Sequence, residues 1–473
     1  MTTPGAAPGP SGPASASPAQ AAPRQRSLAH HPDFRRLWTG DALGQLGAQL
    51  TGLALPVLAV QQLEATEWQM GALGAAETAA FLVIGLPAGA WIDRMRKRRV
   101  LVGADLVRAV VLAAVVALAL TGHGSMGLLY GAALVVGCAS VFFDVAHQSY
   151  VPALVGLDHV VEGNSKLQAT QSVAMVVAPA LGGALLRVVS APLLVVVNVV
   201  TYLVSAVAVG RIRHVEDLPA PGDHPPLRAA IAEGLRFVVR QPLLRRIVAC
   251  TGLGNLFHAA GEALVVLYAL RHLGIDAAGL GLVFSAGAVG GLLGALLADR
   301  LSRWIGEGRI IPVSALFFAL AYALTPLASP LRDLGVPPEV PLVAGGALLS
   351  FGVVVYNVAQ VSFRQRLCPP TLLGRMNASV RFVVWGSMPL GALVGGWLGG
   401  SVGVLPTLWF SVAGVTLAAL PVLASPLLGM RELPGTEPPG TEPPVAEPPV
   451  AAAAPELPRA ADPSRPAGAP PGS

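Results

Sequence analysis

Charge is scarce in this chain. Only 12% of its 473 residues are Asp, Glu, Lys or Arg, about half the 25% of an ordinary soluble domain. So few charges cannot clothe a chain of this length for water. Lysine is nearly absent, with Lys97 and Lys166 alone. Neither stands in the Gly-x-x-x-x-Gly-Lys-[Ser/Thr] loop that cradles nucleotide phosphates, and no polar stretch is long enough for an ATPase domain. An ATP-driven pump is therefore excluded. Cysteine is limited to Cys138, Cys250 and Cys368, too far apart for a disulfide framework or a metal site. There is no His-Glu-x-x-His and no Asp-rich run, so no metal and no cofactor are expected. Gly399-Gly-Ser401-Val-Gly403 has the spacing of a nucleophile elbow. It lies in a short turn between apolar stretches, without the strand–turn–helix setting that exposes such a serine. No enzyme activity is expected.

What the chain has is apolar length. Hydrophobic residues make up 53% and mean hydropathy is +0.64. The apolar residues come in repeated blocks, each close to the ~20 residues that cross a hydrocarbon layer. Spans are read at roughly 38–60, 69–92, 100–121, 126–147, 166–187, 192–212, 246–270, 277–299, 309–328, 340–363, 376–398 and 403–425. The fold expected is all-α, a membrane protein of about twelve transmembrane helices. Residues 1–33 and 430–473 are rich in Pro, Ala, Gly and Ser. Neither tail can bury enough apolar area to order itself, so both are expected to be disordered. The first tail lacks the apolar core of a secretory signal.

The net charge of +5 does not imply nucleic acid, because the arginines sit in short clusters between spans. One set of loops carries Arg35 and Arg36, then Arg94 to Arg99, then Arg211 to Arg246, then Arg300, Arg303, Arg309, Arg364, Arg366 and Arg375. The opposite set carries only Arg187, Arg271 and Arg332. The bias of basic residues toward the cytoplasm places both termini there, in the plasma membrane, and requires an even number of spans. The longest loop, 213–245, contains Leu227–Gln241 with apolar residues at Leu227, Ile231, Leu235 and Val238. That spacing predicts an amphipathic helix lying along the membrane surface.

The chain repeats itself. Asp144-Val-Ala-His-Gln-Ser-Tyr150 matches Asn357-Val-Ala-Gln-Val-Ser-Phe363 at an offset of 213, which also carries Asn164 onto Asn377, Gln168 onto Arg381 and Gly182-Gly183 onto Gly395-Gly396. Gly89-Ala-Trp-Ile-Asp93-Arg94 parallels Ala295-Leu-Leu-Ala-Asp299-Arg300, and Arg35-Arg36 with Gly44-Gln45 parallels Arg245-Arg246 with Gly254-Asn255. Two six-helix bundles, 34–212 and 246–429, are expected in the same orientation, related by a pseudo-two-fold axis along the membrane normal. Transporters built this way hold substrate between the halves near the midplane.

At these residues the sequence resembles the major facilitator superfamily. The family's loop between spans two and three reads Gly89-x-x-x-Asp93-Arg94-x-Arg96-Lys97-Arg98 here, with arginine in place of the second glycine. The span-eight copy keeps Asp299, Arg300 and Arg303 but has Ala295 for the first glycine. The resemblance implies that this loop latches the halves on the cytoplasmic side, against the start of span eleven near Gly374-Arg375. Pro179-Ala-Leu-Gly182-Gly183 in span five is similar to the family's exporter motif, and Pro389, Gly395 and Gly396 repeat the idea in span eleven. Such residues let helices approach and bend at a moving interface. Phe34-Arg-Arg-Leu-Trp, Ala104-Asp-Leu-Val-Arg108 and Gly374-Arg-Met-Asn377 are most similar to the drug and siderophore exporters of the superfamily.

Charges within spans are costly and so are candidate functional groups. Asp41 lies ~7 Å into span one and Glu77 ~12 Å into span two. Asp105 and Arg108, three apart, can neutralise one another. Asn255, His258 and Glu262 share one face of span seven, and Arg381 is the candidate counter-charge in span eleven. A carboxylate in a partly dry cavity can load and release a proton as access alternates, and Glu77 and Glu262 are the leading candidates, followed by Asp41. The function expected is proton-coupled export of a small hydrophobic or amphipathic compound by a monomer in the lipid bilayer. Uptake of a small nutrient, or a non-transporting scaffold or receptor, are the alternatives.

Overall fold

The computed structural model describes residues 28–92, 94–156, 159–214, 216, 227–369 and 372–431. Among them there is no strand. Twelve long helices follow one another: α1 (Pro32–Gln61), α2 (Glu67–Ile92), α3 (Lys97–Leu120), α4 (Met126–Val155), α5 (Val160–Leu185), α6 (Ala191–Gly210), α8 (Pro242–Leu267), α9 (Ala277–Ile305), α10 (Ile310–Asp333), α11 (Glu339–Leu367), α12 (Leu373–Val402) and α13 (Val404–Ala418). The shorter α7 (Leu227–Arg240) joins the two sets of six, and one turn, α14 (Leu420–Leu423), continues α13. Ten of the long helices are apolar and long enough to cross a membrane. The other two, α2 and α5, have 26 residues each and fall outside that measure among the described residues. In α5 the polar opening turns, with Glu162, Asn164, Lys166 and Gln168, dilute the apolar run.

Helices are the form an apolar chain takes in lipid, because each satisfies its own backbone. Local chemistry sets where they begin and end. The side chains of His31, Ser125 and Asp276 accept hydrogen bonds from the amides of Phe34, Leu128 and Gly279, capping α1, α4 and α9. Gly403, at φ 97°, alone separates α12 from α13, a left-handed turn that glycine makes without a Cβ penalty. Several helices outrun their apolar blocks. The added turns of α1, α9 and α12 carry Arg35, Arg36, Arg303 and Arg375, where polar side chains meet the interface while the helix continues.

Packing repeats as the sequence does. In the first half α1 packs on α5 and α6, α3 on α4 and α6, and α2 on α4. In the second, α8 packs on α12 and α13, α10 on α11 and α13, and α9 on α11. The halves meet through α2 against α12 and α5 against α9, two contacts that one pseudo-two-fold operation exchanges.

Those contacts are closest at the arginine-poor end. A Cβ on Gly71 would stand 2.5 Å from the Ala392 carbonyl and 2.6 Å from the Gly396 Cα. On the other seam, a Cβ on Gly281 would run into the Pro179 carbonyl and Gly183. Arg271 donates to the Val60 carbonyl at 3.2 Å, and Arg187 lies 4.0 Å from Asp276. Deeper in, Phe81 meets Trp385 with ring centroids 4.9 Å apart.

The helix expected in the linker is present as α7, but its inward face is taken by protein rather than lipid. Gly234 packs on the Arg375 carbonyl and the Ser379 hydroxyl, and Glu233 pairs with Arg375. Val238 joins Leu244, Val248, Met376 and Val380 in one apolar cluster. An amphipathic pattern states that one face is apolar; it does not state what covers it.

Candidate functional site

Between the halves lies a cavity of about 210 Å³, walled by α1, α2, α8, α9 and α12. Its surface is mostly apolar, with Met70, Leu73, Val266, Phe284 and Met388 among its lining. Glu77 enters it from the first half and Glu262 from the second. Both side chains are open to it. Each sits ten positions from the arginine-poor end of its helical segment, ~15 Å along the axis, which is half of a ~30 Å hydrocarbon layer. Two residues 185 positions apart in sequence thus come to one place near the midplane.

The polar face of α8 divides between two cavities. Glu262 lines the inter-half cavity, while Asn255 and His258 line a second pocket, of about 100 Å³, within the second half. His258 joins them, its Nε2 standing 3.9 Å from Glu262. The Tyr322 hydroxyl donates to the His258 carbonyl at 3.3 Å, and its ring stands edge-on to the imidazole at 5.2 Å. Asn255 donates to the Val384 carbonyl of α12 at 3.0 Å.

Asp41 is placed elsewhere, in a buried polar cluster of the first half. It is 6% exposed and 3.8 Å from His147. Arg108 pairs with Asp105 as its spacing predicts, and its guanidinium lies between the rings of Phe143 and Tyr202, 4.4 and 4.3 Å from their centroids. Two stacking rings hold a planar cation firmly where water is excluded. Asp144 completes the cluster, near enough to couple electrostatically with Arg108, His147 and Arg381. Arg381 lies on α12, in the other half. Asp144 and His147 were legible only as part of the repeat, not as site residues. The signal that marks them is their spacing, three apart on α4, which puts both on one face.

At the arginine-rich end, Asp93 lies outside the described residues, as do the side-chain surroundings of Gly89. The amides that open α3 are held by a residue the sequence did not mark: Glu216 accepts from Lys97 N at 2.6 Å and Arg98 N at 2.7 Å, where a helix start favours negative charge. Arg98 also donates to the Ile212 carbonyl. Arg94, Asp299, Arg300 and Arg303 are exposed. Of the small residues singled out, Pro179, Gly183 and Gly396 stand at the seams between halves. Gly182 instead packs on Leu50, Leu53 and Leu194 inside the first half, and Gly395 on the Ala260 carbonyl inside the second. Pro389 lies within α12.

The comparisons agree with this architecture. Over 401 residues the chain is 26% identical to the enterobactin exporter EntS of Escherichia coli O1:K1, covering 84% of this chain and 92% of the relative. The enterobactin exporter EntS of Salmonella typhimurium is 25% identical over 402 residues, with the same coverage. Among solved structures, a bacterial homologue of the iron transporter ferroportin in an inward-facing state superposes with a TM-score of 0.68 at 17% identity, covering 84% of this chain and 98% of that one. The family model described as transmembrane secretion effector matches residues 27–451. An all-helical membrane chain with a cavity between two related six-helix bundles, matched along nearly its whole length by that model, belongs to the transmembrane secretion effector family of the major facilitator transporters.

Proposed function

We propose that the protein exports a small hydrophobic or amphipathic compound in exchange for protons, by alternating access of the inter-half cavity. The observation that carries the reading is Glu77 and Glu262, one from each half, lining one mostly apolar cavity near the midplane. An apolar wall suits cargo that partitions from lipid, and among the described residues two carboxylates supply the only charges on it. A proton on either acid changes the charge of the cavity by one unit, so loading is tied to what else the cavity holds. Sealing of the halves at the arginine-poor end, which the positive-inside rule reads as external, supports an inward-facing reading of this arrangement. The relatives named as enterobactin exporters favour export over uptake.

The test is transport in proteoliposomes under an imposed pH gradient, with ethidium and phenylnaphthylamine as cargo. Wild-type protein accumulates dye against its gradient, and Glu262→Gln loses the dependence on ΔpH while retaining downhill movement. Full ΔpH-driven transport by both Glu262→Gln and Glu77→Gln rules the proton coupling out. Absence of any dye flux in wild-type liposomes, with nutrient uptake instead, favours the permease reading.

A further inference from the structure

The pocket of about 100 Å³ in the second half is not used by the coupling pair. Its floor is buried: Ala315 and Tyr322 on α10, Tyr356 on α11 and Val415 on α13 are each less than a tenth exposed. Its mouth is more open, formed by Val353 and Asn357 of α11 and His258 of α8. Through His258 the mouth adjoins Glu262 and so the inter-half cavity.

The internal duplication identifies what the pocket replaces. The offset of 213 carries Asp105 onto Phe318, Phe143 onto Tyr356, Asp144 onto Asn357 and Tyr202 onto Val415. The offset of 210 between Arg35 and Arg245 carries Asp41 onto Thr251 and Gln45 onto Asn255. Every one of these second-half residues lines the pocket. In the first half, the corresponding helices fill the same place with their own side chains, the Arg108 guanidinium lying between Phe143 and Tyr202 and paired with Asp105. The counterpart of Arg108 is Ala321, which ends at a methyl group. The second half keeps the place and supplies nothing to occupy it.

We infer that this pocket is a ligand subsite for a flat, uncharged ring bearing hydrogen-bonding substituents, which takes the position that Arg108 takes in the first half. At about 100 Å³ the pocket is smaller than the ~150 Å³ apolar cavity that accepts benzene, so it holds no more than a single ring, seated with its substituents in the open mouth. Aromatic walls are supplied by Phe318, Tyr322 and Tyr356, which favour edge and stacked contacts with a ring. Charge is selected against. The three acids of the first-half cluster have become Thr251, Phe318 and Asn357, and among the described residues no carboxylate lines the pocket. A cation entering it would lose hydration without a counter-charge. Substituents are recognised at the mouth, where the Asn357 amide nitrogen and the Asn255 side-chain oxygen have no partner among the described residues, their other polar atoms being taken by Gln360 and Val384. Treating this ligand as cargo rests on the transport reading above; its binding does not.

Binding is measured by calorimetry on the full chain in lipid nanodiscs, with the heat of empty nanodiscs subtracted, for phenol, cyclohexanol and benzamidine. Phenol is expected to bind about tenfold more tightly than cyclohexanol or benzamidine, the scale of a site that reads shape and hydrogen bonding together. Val415→Tyr, which restores the first-half ring, fills the pocket and lowers phenol affinity about tenfold. Asn357→Asp, which restores a first-half carboxylate, shifts preference toward the benzamidine cation. Glu77→Gln, on the other wall of the inter-half cavity and outside this pocket's lining, leaves phenol binding unchanged, so failure of proton coupling and failure of the subsite are read separately. Equal binding of phenol and cyclohexanol, or phenol binding untouched by a folded Val415→Tyr, overturns the inference. If Val415→Tyr does not fold, Asn357→Asp decides, and an unchanged preference overturns it.

Discussion

At the residue scale, single polar groups in the apolar interior are held by contacts that the rest of the chain could not substitute. Ser285 of α9 is an example. Pro179 removes one amide from α5, and beside it the Ala180 amide donates to the Ser285 hydroxyl at 2.7 Å while that hydroxyl donates to the Val176 carbonyl. The serine thus stands within a turn of the opposite half's helix, stitching the halves across their seam. Hydrogen bonds between membrane helices are worth roughly 0.6–2 kcal/mol. Ser285→Ala is expected to lose about 1 kcal/mol of inter-half closure, read as faster maleimide labelling of a cysteine placed at Val176, with the unfolding temperature nearly unchanged. Arg108 carries more. Its charge is buried with Asp105 and stacked between two rings, so Arg108→Ala leaves an unpaired buried carboxylate at a cost of ~3–5 kcal/mol. Arg108→Lys keeps the charge but loses the planar stacking, about 2 kcal/mol. Thermal unfolding of the purified variants orders them wild type, Lys, Ala.

How much of this was legible in the sequence depends on whether the partner lay nearby. Asp105 and Arg108 are three apart, and their pairing is a local consequence of helix geometry. The shared face of Asn255, His258 and Glu262 was local too. That Glu77 and Glu262 enter one cavity was not legible, because it depends on how two bundles dock. Nor was the division of the α8 face between two cavities. Glu216 gave no signal at all: it lies in a polar linker, and only the fold brings its carboxylate to the amides of Lys97 and Arg98.

At the element scale, α7 shows the same limit and carries its own prediction. Its amphipathic period was read correctly, while its placement on α12 depends on a close approach that only Gly234 permits. A side chain there would enter the Arg375 carbonyl and the Ser379 hydroxyl. The ion pair between Glu233 and Arg375 accompanies this contact, but both partners are at least a third exposed and such surface pairs contribute little. Packing, not charge, is therefore expected to hold the helix. Glu233→Gln leaves hydrogen exchange across 227–240 nearly unchanged. Gly234→Leu lifts the helix from α12 and raises exchange there many-fold, toward that of a free loop. If the two variants behave alike, the glycine contact is not what seats α7. Because α12 also forms the seam with α2, loosening α7 is expected to alter transport rate even with the cavity intact.

At the scale of the whole molecule, alternating access requires the arginine-poor end to open, so the contacts sealing it must be breakable. They fit that requirement. The seams are built from glycine backbones in van der Waals contact at Gly71 with Gly396 and at Gly183 with Gly281, which hold by shape and release without leaving buried charges unpaired. The one ion pair that bridges the rims among the described residues, Arg187 with Asp276, is 65% exposed on both sides and contributes little to stability. Losing the pair costs little, and Asp276→Cys removes in addition the side-chain cap of α9, about 1 kcal/mol, too little to unfold the chain, so the two positions can carry a lock. In an Arg187→Cys, Asp276→Cys variant with Cys138, Cys250 and Cys368 replaced by serine, transport is expected to match that of the serine background. Joining the two cysteines with a short bis-thiosulfonate linker is expected to abolish transport, and a reductant to restore it. The same reagent also reads orientation: in a membrane-impermeant form added to intact cells, it reacts only if this end faces outward, as the arginine distribution requires. Undiminished transport by the linked protein would show that this end does not move, and a cavity sealed there permanently could not release cargo by alternating access.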